Sequence, residues 1–212
     1  MTDYPPLEPS LGKPEKGAKP KLIILLGSYD VKTLNLMKHV KESILEKFGD
    51  EDIYCILLED VDVYLTDKVE VLTERWAGKI TLWVFRGTTL VDLVDVKVGE
   101  TIENFLRANY QTTIVRKVPI FEKLRLLATV GWLLLVLRHQ ELTRGGEWVE
   151  LTYIAQDCAK KTYLLKKEGI PLSTMVKEIL DAYGVNLRAY NDEKELIEEI
   201  ERIIRYKLIR KA

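Results

Sequence analysis

Two glutamates, Glu147 and Glu150, are the residues of this chain whose type and spacing best suit chemistry. They follow the glycine pair Gly145-Gly146 and open a segment with a helical pattern. Because residues three apart share one face of a helix, both carboxylates would lie together near its N-terminus. A carboxylate fixed there can stabilise positive charge that develops in a ligand. A second interpretation stays open, in which Glu147 is a first-turn acid favoured by the helix dipole and Glu150 is a solvated helix residue.

The elements before this helix would place the glutamates at a ligand-binding edge. Trp132 to Leu137 is a continuous apolar run, typical of a strand buried on both faces of a parallel sheet. A polar loop follows and closes on Gly145-Gly146, where the backbone can turn sharply and come close to a ligand. Ligands of open α/β sheets bind at the carboxyl edge of the strands, near helix N-termini. We therefore expect a ligand site above this strand that includes both glycines.

Further polar residues follow strand-like segments and would share that edge. The candidates for ligand contact are Gly27, Ser28, Tyr29 and Asp30 after the first strand, Arg86 after the strand Lys79 to Phe85, and His139 after the fourth strand. Arg86 could bind a phosphate or carboxylate through two parallel hydrogen bonds, or pair with a surface acid instead. His139 could contact the ligand or be satisfied by loop hydrogen bonds.

Three acids, Glu59, Asp60 and Asp62, follow the second strand, Ile53 to Leu58. Such oxygen ligands can hold a divalent cation, but no glycine-rich loop that would cradle a phosphate accompanies them. The two histidines of the chain lie far from any Cys or His at zinc-ligand spacing. The sequence therefore predicts neither a metal site nor a cofactor, and a solvated acidic turn accounts for the acids.

Apolar runs alternate with helical patterns from Lys21 onward, which indicates βαβ units and a parallel sheet. We expect a single flavodoxin-like α/β domain over residues 21–212, with three layers and about five or six parallel strands. Residues 91–129 would form a helical insertion after strand three that caps the site or builds a homodimer face. Residues 1–20 hold five of the seven prolines and are expected to form a flexible tail.

A buried strand, Gly-x-x-x-Glu and an apolar helix together resemble the nucleoside 2-deoxyribosyltransferase and TIR-type superfamily. The residues that match are Gly146, Glu147, Trp148, Val149 and Glu150. The resemblance implies that Glu150 is the nucleophile, or the anion stabiliser, in cleavage of an N-glycosidic bond. It implies a nucleoside or nucleotide as the ligand, with Glu147, Tyr29 or Asp30 orienting the sugar hydroxyls.

Two departures from that superfamily favour a second hypothesis. Gly131 and Trp132 stand where the transferases have an aspartate that reads the base, and Trp148 and Val149 stand where the TIR-type pattern has a serine or cysteine. The rival hypothesis is a non-catalytic nucleotide-sensing or partner-binding module, because a fold does not fix a function. A third, a receiver-like phosphotransfer domain, would use the acids after strand two.

Overall charge and composition limit the partners. With 32 Lys and Arg against 33 Asp and Glu, the net charge of -1 gives no global field, so neither nucleic acid nor an anionic membrane is expected as a partner. No segment reaches the roughly 18 apolar residues of a membrane helix, and the N-terminus lacks a signal-peptide core, so we expect a soluble cytoplasmic protein. Charged residues make up 31% of the chain, a level that thermophilic proteins often reach.

Overall fold

A computed structural model describes residues 20–28, 30–96, 100–140 and 146–209, with only the backbone described for residues 146 and 147. The tail predicted for residues 1–20 therefore lies outside the described residues, except for Pro20. In chain order, the elements are β1 (Lys21–Gly27), α1 (Val31–Phe48), β2 (Ile53–Leu57), β3 (Val61–Thr66), β4 (Glu70–Trp76), β5 (Lys79–Arg86), β6 (Thr89–Val96), α2 (Ile102–Tyr110), β7 (Val115–Lys117), α3 (Ile120–Val130), β8 (Leu133–Arg138), α4 (Gly146–Cys158), β9 (Thr162–Lys167), α5 (Thr174–Tyr183), β10 (Asn186–Tyr190) and α6 (Glu193–Ile209).

Five strands form a parallel sheet in the order β10-β9-β8-β1-β2. From β1 the chain moves to β2 on one side, and it returns later to β8 on the other side and continues to β9 and β10. The strand order therefore reverses between β1 and β8, which makes their junction the switch point of the sheet. Strands β1, β2 and β8 were predicted from their apolar runs, and the resemblance implied strands over Lys161 to Leu165 and Val185 to Tyr190. All five predicted ends are correct to within two residues.

Helices cover both faces of the parallel sheet because successive side chains of a strand point to opposite faces. In β8, Leu133, Leu135 and Leu137 pack with α1 and α6 on one face. Leu134 and Val136 pack with α3, α4 and α5 on the other face. Burial on both faces is the reason that β8 appears in the sequence as an unbroken apolar run. In the described part of the chain, no helix is both long and apolar enough to cross a membrane.

A second sheet, which is antiparallel, fills most of the segment between β2 and α3. Its strand order is β6-β5-β4-β3-β7. The prediction of a flavodoxin-like three-layer domain is therefore wrong. Lys79 to Phe85 was expected as the third parallel strand, but it belongs to β5 and pairs with β4 and β6. Residues 91–129 are not a purely helical insertion either, because they contain most of β6 and all of β7 beside α2 and α3.

Two short turns explain why these strands pair with their neighbours along the chain. Ala77 and Gly78 have positive φ angles of 50° and 75°, as in the type I′ turn that joins antiparallel strands. Gly87, with φ 63°, lies in the turn between β5 and β6, where Arg86 pairs with Thr89. Arg86 is therefore exposed at a hairpin of the antiparallel sheet. Its predicted position at the carboxyl edge of the parallel sheet is wrong.

The two sheets share one apolar core. Side chains of β1 and β2 pack in the same cluster as side chains of β3, β4 and β5. The rings of Tyr54 in β2 and Trp83 in β5 meet edge to face, with centroids 5.1 Å apart. Helix α2 covers the other face of the antiparallel sheet through Ile102 and Leu106. The antiparallel sheet is therefore built into the domain core.

A buried ion pair also joins α1 to the antiparallel sheet. The ammonium of Lys41, a side chain only 1% exposed, donates to Glu74 Oε1 in β4 over 2.7 Å. Trp83 Nε1 donates to the other carboxylate oxygen of Glu74 over 3.1 Å. The Lys41 ammonium also lies 3.6 Å from the centre of the Trp76 ring. Because both charges are removed from water, each depends on the other and on these aromatic neighbours.

Candidate functional site

The carboxyl ends of β1 and β8 meet at the switch point, the place where the sequence predicts a ligand site. The two strands are hydrogen-bonded neighbours, with Gly27 opposite the second-to-last residue of β8. This register brings the residues after β1, Ser28 and Asp30, beside those after β8, His139 and Gln140. Ser28 is buried, and the other three side chains are half-buried. The expected edge thus collects polar side chains from two loops.

Gly27 is explained by packing between strands and helix. A Cβ at this position would lie 3.0 Å from the carbonyl oxygen of Leu137 and 3.1 Å from the sulfur of Met37. Such distances are shorter than ordinary van der Waals contact. Gly27 therefore allows β1 to approach β8 and α1 closely, whether or not it also contacts a ligand.

Asp30 connects the two loops. Its Oδ1 atom accepts a hydrogen bond from the amide of Thr33 over 2.9 Å, which caps the N-terminus of α1. The same oxygen accepts a bond from Gln140 Nε2 over 2.6 Å. Burial alone would raise the pKa of Asp30, but hydrogen bonds from Thr33, Ser28 and the Lys32 amide hold the pKa below its ordinary value. Asp30 is therefore ionised at neutral pH and fixed in position.

Replacing Asp30 with alanine is expected to lower the free energy of unfolding by about 1–2 kcal/mol, because the helix loses its cap and Gln140 loses its acceptor. Asp30→Asn is the matched control, since its side-chain oxygen can still accept from the Thr33 amide. Urea denaturation of both variants would test this. Equal stability of the alanine and asparagine variants would mean that the cap does not stabilise α1.

His139 and Tyr190 form an aromatic pair at the same edge. His139 Nδ1 and the Tyr190 hydroxyl share a hydrogen bond of 3.0 Å, and the two ring planes are 4° from parallel. Burial and the nearby charge of Lys167 lower the pKa of His139, and Asp30 and Glu193 offset this only in part. Burial also raises the pKa of Tyr190. The pair is therefore an uncharged imidazole beside a protonated phenol at neutral pH.

The lowered pKa of His139 predicts a pH dependence of stability. As the pH falls below about 6.5, the unfolded chain binds a proton at this histidine, while the folded protein binds it only at lower pH. The free energy of unfolding should therefore decrease over this range. In the variant His139→Gln, the free energy of unfolding should decrease less between pH 7.5 and pH 5.5 than in wild type. Denaturation at pH 7.5, 6.5 and 5.5 measures this difference.

The chain has only two histidines, which supplies a matched control. His39 is exposed on α1, and His39→Gln should keep the wild-type decrease in stability. A wild-type decrease that persists in His139→Gln would show that another group causes it.

Arg138 and helix α4 lie on the opposite face of the sheet from the His139–Tyr190 pair. Arg138, the last residue of β8, is buried on the side of α4, and its guanidinium lies 5.1 Å from the centre of the Trp148 ring. Glu150 in α4 is only 5% exposed. The interpretation of Glu150 as a solvated helix residue is therefore wrong. The charge of Glu150 works to raise the pKa of Lys123 in α3, although burial holds that pKa below its ordinary value.

The remaining predicted site residues are Tyr29, Gly145, Gly146 and Glu147, and the acids after β2 were expected to form a solvated turn. Tyr29 and Gly145 lie outside the described residues. Gly146 and Glu147 begin α4, but the side chain of Glu147 lies outside the described part of the structure. Of the acids after β2, Asp62 is engaged by Arg75 and Lys117, at 3.0 and 2.8 Å. Among residues 20–28, 30–96, 100–140 and 146–209, no cluster of three or more His, Cys, Asp or Glu could hold a metal ion.

Four residues of this edge were not among the predicted site residues. They are Arg138 and Gln140 on either side of His139, Lys167 at the end of β9, and Tyr190 at the end of β10. The rule that ligands bind at carboxyl ends of parallel strands would have found them, because each ends or directly follows a strand that was predicted. Of the residues selected by that rule, Gly27, Ser28, Asp30 and His139 do lie at this edge, Arg86 does not, and Tyr29 lies outside the described residues.

No protein-family model matches the chain, and a search among curated proteins finds no matching relative.

Proposed function

We propose that the protein binds a nucleoside or nucleotide at the carboxyl edge of the parallel sheet, between β1 and β8. One observation carries the proposal: the 2.6 Å hydrogen bond between Gln140 and Asp30 joins the two loops that flank the switch point. Ligands of open parallel sheets bind in the crevice at such a point. The paired polar side chains of Asp30 and Gln140 there suit the hydroxyl groups of a sugar.

The charges around this edge suit the other parts of a nucleotide. Arg138 and Lys167 end neighbouring strands β8 and β9, and their cations can attract a phosphate. Asp30 and Gln140 provide an acceptor and an amide for the ribose hydroxyls. The uncharged His139 can donate or accept a hydrogen bond without repelling a base.

Glu150 is the proposed catalytic group for cleavage of the N-glycosidic bond. The carboxylate attacks C1′, or stabilises its positive charge, as the C1′–N bond breaks and the base leaves with a proton from water. The remaining hydroxide of that water then completes the sugar at C1′ and frees Glu150. A carboxylate suits this reaction because its attraction for C1′ strengthens as the transition state becomes oxocarbenium-like.

Incubation with a panel of nucleosides, deoxynucleoside monophosphates and NAD tests the proposal, with free base followed by chromatography. Release of base from at least one of these compounds is the expected result. Absence of both base release and ligand-dependent stabilisation across the panel would overturn it.

A non-catalytic nucleotide sensor is the second candidate. The burial of Glu150 favours it, because a carboxylate that is 5% exposed must become accessible before it can react with a ligand. Thermal unfolding in the presence of the same panel separates the two candidates, since any ligand that binds only the folded state raises the melting temperature. Stabilisation without release of base supports the sensor.

A further inference from the structure

The opposite edge of the parallel sheet, where the strands begin, contains a groove made of two adjoining cavities. One, of about 600 Å³, lies between the start of β8, the end of α4 and Tyr183. The other, of about 720 Å³, lies between β9, β10 and α6. Lys160 and Lys207 line both cavities, so they form one continuous surface, which we call the amino-edge groove.

The amino-edge groove concentrates positive charge. Five cations line it, against two carboxylates, in a chain whose net charge is -1. The cations are Lys160, Lys161, Arg188, Arg202 and Lys207. Such a cluster creates a local positive potential that the overall charge of the chain conceals. The expectation that nucleic acid is not a partner rested on that overall charge.

One carboxylate holds two of these cations side by side. Glu199 accepts from Arg188 Nε at 3.1 Å and from Arg202 Nη1 at 2.6 Å. A guanidinium has five N–H donors, so this bridge positions both arginines and leaves donors for a ligand. Both arginine side chains are at least half exposed. The pair is therefore a preorganised site for the oxygens of a phosphate.

Tyrosines stand among these cations. Tyr183 at the end of α5 and Tyr206 in α6 are 42% and 46% exposed. Single-stranded nucleic acids bind in grooves that combine cations along the backbone with aromatic rings on which bases stack. Each cavity has the volume of a complete small-ligand site, for which about 300–1,000 Å³ is typical. The groove therefore has room for more than one nucleotide unit.

We propose that the amino-edge groove binds a short stretch of single-stranded nucleic acid. The lysines and arginines contact its phosphates, and Tyr206 and Tyr183 stack against its bases. This site lies at the opposite edge of the sheet from Glu150 and Asp30, so it stands independently of the function proposed above.

Fluorescence anisotropy with a labelled ten-nucleotide deoxythymidine oligomer tests the phosphate contacts in the full-length protein. The variant Lys160→Gln/Arg202→Gln should bind at least tenfold more weakly and show a shallower dependence on salt. The control Lys194→Gln/Arg205→Gln removes the same charge from α6 outside the groove and should bind within twofold of wild type. Equal weakening in both double variants would overturn the proposal.

Tyr206 provides a second and independent test. Tyr206→Ala should weaken binding by at least about fivefold, whereas Tyr206→Phe, which keeps the stacking ring, should bind like wild type. A duplex of the same length, whose bases are already stacked, should bind more weakly than the single strand. Wild-type binding by Tyr206→Ala, or equal binding of duplex, heparin and single strand, would reduce the groove to a general polyanion surface and contradict the proposal. These outcomes decide the question even if the charge variant fails to fold.

Discussion

Replacing Lys41 with methionine is expected to lower the free energy of unfolding by about 3–5 kcal/mol, because removing one partner of a buried ion pair leaves the other charge uncompensated. Among the described residues, the remaining carboxylate of Glu74 would keep only its hydrogen bond from Trp83. Methionine fills a volume close to that of the lysine stem, so the loss reflects charge burial and not a cavity. Guanidinium denaturation followed by circular dichroism measures the change.

Two further variants separate the ion pair from other causes. Lys41→Met/Glu74→Gln should recover at least half of the lost stability, because no unpaired charge remains and the glutamine oxygen can still accept from Trp83. Lys47→Met is the matched control on the same helix, since Lys47 pairs with Glu201 at the partly exposed surface. It should change stability by less than about 1 kcal/mol. Additive effects of the Lys41 and Glu74 substitutions would contradict the coupling.

Replacing Glu150 with glutamine is expected to reduce base release by at least about a thousandfold, if the chain cleaves an N-glycosidic bond as proposed. Glutamine has nearly the same shape but no charge, so it can neither attack C1′ nor stabilise an oxocarbenium ion. Binding of the substrate should change much less than its turnover, because the charge on C1′ develops only in the transition state. Single-turnover assays with the best substrate of the panel would measure both quantities.

Glu178 offers the matched control for that substitution. It is an exposed glutamate of α5, and Glu178→Gln should retain full activity. A melting temperature of Glu150→Gln close to that of wild type would show that the fold is intact. Full activity of the Glu150→Gln variant would remove this residue from the mechanism.

The parallel sheet could be predicted from the sequence because burial leaves a local signal. Strands β1, β2 and β8 are short apolar runs in the sequence, and helical patterns follow β1, β8, β9 and β10. The antiparallel sheet was missed because the sequence indicates it only through its turns. Ala77-Gly78 and Gly87 permit tight hairpins. The run Lys79 to Phe85 was assigned to the parallel sheet on its apolar character alone. An apolar run does not determine the direction of its neighbours.

The candidate site could be predicted only in part, for a similar reason. The rule for carboxyl ends located Ser28, Asp30 and His139, since it needs only the strand ends. The contact of Asp30 with Gln140 depends on the register between β1 and β8, which are 110 residues apart along the chain at this contact. The buried ion pair of Lys41 could not be predicted from the sequence, because a single lysine in a helix is usually a surface residue and the contact with β4 is not visible in the sequence.

Amide NMR shifts recorded during titration with a nucleoside monophosphate test whether a nucleotide binds at the carboxyl edge of the parallel sheet. Saturable shifts are expected, with the largest at Ser28, Asp30, His139 and Gln140, the residues that meet at the carboxyl edge of the parallel sheet. Shifts confined to the amino-edge groove, or no saturable shifts with any nucleoside, nucleotide or NAD, would contradict binding at this edge.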